Sequence, residues 1–249
     1  MDAKYFDEWY AGIGASAADE RFFTEALGVP VEVGPQNLVP LAGLRQIAAA
    51  LAAEPGGLLV DIACGRGGPG MWLARELDLE LLGVDFSAEA VRQATKRRSR
   101  FGLTERATFA VGTFDSTGLA AGAADAVVCI DAFQFSSDRV KAAEEMRRLL
   151  RPGGRVVLTG WEPKQPGDDE LPERMRDLDF GAALDAAGFT DVVRTLKPEW
   201  DEVEHALWTQ AAALDPGDDP ALVSTKEEAE QALPLFDRRH RVMATAVAP

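Results

Sequence analysis

Histidine, cysteine and tyrosine each occur only twice in this 249-residue chain. Two histidines, His205 and His240, leave few imidazoles for acid–base work at neutral pH. Two cysteines, Cys64 and Cys129, exclude a disulfide framework, and no Cys/His spacing suits a metal, so no metal site is expected. No apolar run approaches the ~20 residues that span a bilayer, which excludes a transmembrane helix. The opening MDAKYFDEWY lacks both a basic and an apolar segment, so no signal peptide is expected and the reading is cytoplasmic. Bases are also short: 26 against 41 acids, a net charge of −15, opposes nucleic acid and anionic membrane as partners. Lys96, Arg97, Arg98 and Arg100 cluster, but at the end of a predicted helix, where solvated cations complement the dipole. There is no internal repeat or low-complexity tract. What is plentiful is apolar residue, 47%, ample for one domain with an elaboration.

The stretch Leu58–Ala74, LLVDIACGRGGPGMWLA, organises the rest. An apolar run bounded by glycines is the pattern of a parallel strand covered on both faces. Gly65, Gly67 and Gly68 then make a turn, and Pro69 suits the first turn of a helix. Free N–H groups at such a helix start favour polar or anionic ligand groups. The glycines also satisfy G-x-G-x-x-G, which keeps a nicotinamide oxidoreductase open. Asp61 lies within the strand, giving Asp61-x-Ala63-x-Gly65-x-Gly67. One strand later, LLGVDFS places Asp85, followed by Phe86, at a second strand tip, where a carboxylate can accept both hydroxyls of a ribose.

This pair of segments resembles motifs I and II of the class I S-adenosylmethionine (SAM)-dependent methyltransferases. The wording is similar to the small-molecule enzymes of actinobacterial natural-product type. The resemblance implies a Rossmann-like α/β fold: a seven-stranded, mostly parallel sheet with an antiparallel last strand and helices on both faces. It implies SAM as cofactor, held by Asp61, Ala63, Gly65, Gly67, Asp85, Phe86, and the loop Thr113–Phe114–Asp115 that contacts adenine. Ala63 replaces the first glycine of the family pattern, and an acid directly after Gly112 is replaced by Thr113, with Asp115 two residues on. LLRPGGRVVLTGWEP resembles the family's approach to its fifth strand.

Along the chain, strands are predicted at 107–111, 124–130 and 155–160, then at 190–196 and 241–247. Helices are predicted at 41–53, 87–99, 138–149 and 173–187. Residues 1–40 read as a helical lid bearing Tyr5 and Tyr10, with a turn at Gly34-Pro35-Gln36-Asn37. Residues 41–198 plus 237–249 form the core, and 199–236 a helical cap insertion. The alternation places polar clusters at four consecutive strand ends on one rim, where ligands bind in open sheets.

Methyl transfer by in-line displacement needs alignment first, and a base where the nucleophile carries a proton. His205 on the cap is the first candidate base. The helical period sets it with Asp201 and Trp208, opposite Val203, Leu207, Ala211 and Leu214, so Trp208 is expected to wall a pocket. Asp131, at the fourth strand's end, is the other; it serves equally to orient substrate or contact the SAM amino group. Phe133, Gln134, Phe135, Trp161, Tyr5 and Tyr10 are expected to line the acceptor site. The expected activity is transfer of a methyl to O, N or C of a small molecule, by a monomer or homodimer. The alternatives are a SAM-fold cyclase or lyase that keeps its methyl, and a SAM-responsive module without catalysis.

Overall fold

The central strand is β1 (Leu58–Ile62), whose run LLVDI sends Leu59 to one core cluster and Val60 to the other. Successive side chains of a strand alternate faces, so a strand apolar at both is covered on both. The computed structural model describes residues 3–13, 16–34 and 37–249. Pro35 and Gln36 of the expected turn lie outside the described residues.

β2 (Glu80–Asp85) and β3 (Ala107–Val111) extend the sheet on one side of β1 in parallel register. On the other side come β4 (Ala124–Ile130) and β5 (Leu150–Pro163), also parallel. β7 (Arg239–Val247) then runs antiparallel between β5 and β6 (Thr190–Leu196). The resulting order is β3-β2-β1-β4-β5-β7-β6. This is the Rossmann-like α/β class expected from the alternation, and the reversal between β1 and β4 opens a crevice at the strand ends.

Helices cover both faces. α3 (Leu41–Leu51) and α4 (Gly68–Glu76) pack with Leu59, Val128 and Val157. α6 (Arg139–Leu149) and, after the single turn α7 (Glu173–Arg176), α8 (Phe180–Ala186) pack with Val60, Val127 and Leu158. α5 (Ala88–Arg97) begins at Ser87, whose side chain accepts the Ala90 N–H at 3.1 Å. Between β6 and β7 lie α9 (Pro198–Ala212) and α10 (Pro220–Ala232), with Asp219 capping the second.

Two N-terminal helices complete this layer. α2 (Ala17–Leu27) touches both α9 and α10: Thr225 Oγ1 donates to Asp19 Oδ1 and Ser16 Oγ to Asp219 Oδ2, each at 2.6 Å. α1 (Ala3–Ile13) docks on α5, where the Asp7 carboxylate accepts from Ser87 Oγ and, at 3.1 Å, from the Glu89 N–H.

Three expectations need correction. Arg151–Gly154 is not a free turn before a strand starting at 155. β5 includes it, pairing Leu150 with Ala124 and Arg155 with Ala126 across a register shift, and a bulge absorbs the extra residues. The helix expected over 173–187 breaks at Asp177–Asp179, because Asp179 caps α8 by accepting the Ala182 N–H at 2.8 Å. Arg97 is not a solvated helix end. It is 5% exposed and donates to the carbonyls of Glu32, Val33 and Arg66, and its burial lowers its pKa to about 10.

Candidate active site

After β1 the backbone enters a turn in which Ala63, Gly65 and Gly67 are left-handed, with φ of 56°, 54° and 74°. For glycine that region is free; for alanine it costs about 1–2 kcal/mol. Ala63→Gly is therefore expected to leave stability unchanged or raise it by up to about 1 kcal/mol, after glycine's own entropy cost is subtracted. A fall of several degrees in Tm on thermal unfolding would contradict that. At Gly70 a Cβ would lie 2.2 Å from Asp61 Oδ2, and at Gly65, besides the left-handed φ, 2.8 Å from the Tyr10 hydroxyl, which would have to shift.

Asp85 at the tip of β2 ties this turn down. Its Oδ2 accepts the Gly65 N–H at 2.8 Å and its Oδ1 the Ser87 N–H at 2.9 Å. Each carboxylate oxygen keeps a second lone pair for a ligand hydroxyl. Burial pushes the Asp85 carboxyl up, against the two backbone hydrogen bonds. Asp61 is raised to about 8 by burial and then by the charge of Asp85, and makes no hydrogen bond among the described residues. Two buried carboxylates beside a bare glycine turn suit a ligand that brings hydroxyls and a positive charge.

From this turn a cavity of about 1570 Å³ runs beneath α9 and α10. Ligand pockets usually measure about 300–1,000 Å³, so this one has space for a cofactor and a second molecule together. Its walls include Asp61, Ala63, Gly65, Gly67, Asp85, Phe86, Thr113, Phe114, Asp115 and Asp131. They also include Tyr5, Tyr10, Gln134, Phe135, Trp161 and Trp208. Thr113 Oγ1 donates to Asp115 Oδ1 at 2.8 Å, joining the two loop residues. Phe6 of α1 meets Phe86 and Phe135 edge-on at 5.1 and 5.8 Å, closing the mouth with aromatic rings.

Two expected site residues are placed elsewhere. Phe133 is fully buried against Phe180, with ring centroids 5.7 Å apart. His205 is exposed, does not line the cavity, and rests edge-on to Phe236 at 4.9 Å. The buried stripe of α9 is Trp200, Glu204, Leu207, Trp208 and Ala211, so Trp208 shares a side with Leu207 and not with His205. His205→Ala is expected to leave turnover within about twofold, since no contact joins the ring to the reaction space. A tenfold loss in steady-state rate would restore it as a base.

Asp131 reaches the cavity with its carboxylate held by three donors. Its own φ is 53°; Oδ1 accepts from Thr159 Oγ1 at 2.8 Å, and Oδ2 from the Leu38 N–H at 2.9 Å and Arg241 Nη1 at 3.0 Å. A carboxylate stabilised in its charged form by three donors, one of them a guanidinium, is an anchor and a weak base. Arg241 also lies 3.7 Å from Glu204, a residue the sequence reading missed. Glu204 accepts from Trp161 Nε1 at 2.9 Å and Arg239 Nη2 at 2.6 Å. Arg239 and Arg241, two apart on β7, project to one side, beneath α9.

Residues 60–158 match the family described as "Methyltransferase domain". The matched segment runs from β1 into β5 and leaves α1, α2, α9 and α10 outside it. Phosphoethanolamine N-methyltransferase 1 of Arabidopsis thaliana is 26% identical over 68% of this chain and 38% of its own length. The 27-O-demethylrifamycin SV methyltransferase of Amycolatopsis mediterranei is 25% identical, over 62% of this chain and 64% of its own. The chain thus spans between about a third and two thirds of the first curated relatives it matches. Among solved structures, phosphoethanolamine N-methyltransferase 2 of Haemonchus contortus, in complex with S-adenosylhomocysteine, superposes with a TM-score of 0.74. It is 20% identical, over 94% of this chain and 58% of that one. The (4+2)-cyclase SpnF gives 0.65 at 24% identity, over 83% and 79%. These likenesses are of fold. An antiparallel β7 between β5 and β6 also separates this sheet from the dinucleotide-binding order, whose sheet ends 4-5-6.

Proposed function

We propose that the chain binds SAM and transfers its methyl to O, N or C of a small molecule, a natural-product intermediate. The carrying observation is Asp85, which fastens the left-handed turn by the Gly65 N–H while keeping acceptor capacity toward the cavity. Asp61, Ala63, Gly65, Gly67, Asp85 and Phe86 would hold the cofactor, with Thr113–Asp115 at the adenine end. When bound, SAM supplies an electrophilic methyl on a sulfonium. Helices α1, α2, α9 and α10 serve as lid and cap, excluding water and presenting the acceptor through Gln134, Phe135, Trp161 and Trp208. With His205 outside the cavity and Asp131 held by three donors, the residues in hand act by positioning. Such alignment is worth about 7–11 kcal/mol in the best cases. The rifamycin relative supports the natural-product reading, and the two unpaired cysteines support a cytosolic setting.

With His205 outside the cavity and Asp131 held by three donors, a second reading is a cyclase that leaves the SAM methyl in place; the fold neighbour SpnF is named a (4+2)-cyclase. Calorimetric titration with SAM, S-adenosylhomocysteine and NAD⁺ tests the cofactor. Micromolar binding of both sulfur compounds and none of NAD⁺ is expected; binding of NAD⁺ alone would overturn the reading. Product mass then separates the activities, since a transferase product gains one methyl.

A further inference from the structure

We propose that Tyr10 belongs to the cofactor site and not to the acceptor site, its hydroxyl donating to the amino-acid carboxylate of SAM. The inference rests on the SAM reading given above. Asp7 and Tyr10 stand three apart on α1 and so share a side. Asp7 accepts from the Ser87 hydroxyl and the Glu89 N–H at the start of α5, and Gln93 Nε2 donates to the Tyr10 carbonyl at 3.0 Å. Docked at both points, α1 lays the Tyr10 ring over the glycine turn, its hydroxyl 2.8 Å from where a Gly65 Cβ would stand. Trp9 meets that ring edge-on at 4.9 Å. Gly65 and Ser87 are also the two residues whose N–H groups Asp85 holds. One side of α1 therefore covers both ends of the Asp85 clamp.

Tyr10 is 7% exposed, yet its hydroxyl makes no hydrogen bond among the described residues and is open to the cavity. Burial first, and then the charge of Asp85, push its pKa well above the ordinary phenol value, so it stays a donor at neutral pH. The groups of SAM sort themselves against what this turn offers. Asp61 and Asp85 accept, so they suit the ammonium, the sulfonium and the ribose hydroxyls, and they repel the carboxylate. That anion needs a donor. The Tyr10 hydroxyl is the one that α1 brings over the turn. Arg66 beside it adds positive charge, although its Nη2 is paired with Glu20 at 3.0 Å. A phenol O–H on a carboxylate is a charge-assisted bond, about twice as strong as a neutral one.

The test is calorimetry on the full chain with two ligands that differ by the carboxylate alone. These are S-adenosylhomocysteine and S-adenosyl-3-thiopropylamine, each titrated to millimolar concentration. The wild-type chain is expected to bind the first at least about tenfold more tightly, the scale of one charge-assisted hydrogen bond. Tyr10→Phe should remove about tenfold of the S-adenosylhomocysteine affinity and leave the thiopropylamine within about twofold, which also shows the fold intact. Equal affinity of the wild-type chain for the two ligands overturns the inference. So do equal losses for both in Tyr10→Phe, or no loss for either. Asp7→Ala is a second variant, which frees α1 and leaves the hydroxyl in place. It should weaken S-adenosylhomocysteine by about threefold or more alone and add little to Tyr10→Phe, since the two residues act as one unit. Losses that simply add overturn the positioning role of Asp7. A wild-type chain that binds neither ligand strikes the cofactor reading, and this inference with it.

Discussion

Asp85→Ala is expected to weaken binding of SAM and S-adenosylhomocysteine by an order of magnitude or more. Two losses combine. The ribose hydroxyls lose a charged acceptor, worth about 1.5–3 kcal/mol per hydrogen bond. The Gly65 and Ser87 N–H groups also lose their shared acceptor, so the turn is no longer tied to the tip of β2. Asp85→Asn separates them, because an amide has one accepting oxygen where the carboxylate has two. It keeps one backbone bond and should fall between wild type and alanine. The measurement is calorimetric affinity alongside thermal unfolding, so that a loosened turn is told apart from lost ligand contacts. Full affinity in Asp85→Ala would remove Asp85 from the cofactor site, and the carrying observation for the proposed function with it.

Local pattern reached a good part of this molecule. Strands 107–111 and 124–130 stand where the apolar runs placed them, and Ser87 caps its helix because the helix start leaves N–H groups that a serine oxygen satisfies. The rim of polar clusters follows from the order of strands, which alternation predicts. Charge was less legible. Arg97 read as a solvated helix end, and Glu204, Arg239 and Arg241 went unremarked, since a charged side chain is almost never fully buried unless paired. Their partners lie far off in sequence: Arg241 reaches Asp131 across 110 residues, Arg239 reaches Glu204 across 35. No window of sequence contains such a pair. The same gap misplaced His205. The period assigned the apolar side of α9 from Val203 and Leu207, whereas Glu204, buried through its two arginines, turns that side toward Trp200 and Trp208.

Those arginines carry the largest stability effect expected. Arg241 is fully buried between Asp131 and Glu204 and lies over the Trp161 ring, its guanidinium 4.4 Å from the centroid. Replacing the whole cluster with apolar residues need not be costly, but removing one partner leaves buried charge without compensation. Arg241→Met keeps the volume of the stem and removes the charge, so Asp131 loses its ion pair and Glu204 keeps only the one with Arg239. The expected loss is about 3–5 kcal/mol in urea unfolding, the range for breaking a buried pair. Adding Asp131→Asn to Arg241→Met should recover part of it, because the second change removes one of the stranded charges. The double variant should then be more stable than the single one, a non-additive result that only residues in contact produce. A single-variant loss below about 1 kcal/mol would mean that apolar packing, chiefly Trp200, Leu207 and Trp208, seats α9 on the sheet by itself. A loss in the expected range, with recovery in the double variant, would mean that the cap is fastened through the strand end that faces the reaction space. Asp131 would then owe its place beside the acceptor to β7 and α9 as much as to β4.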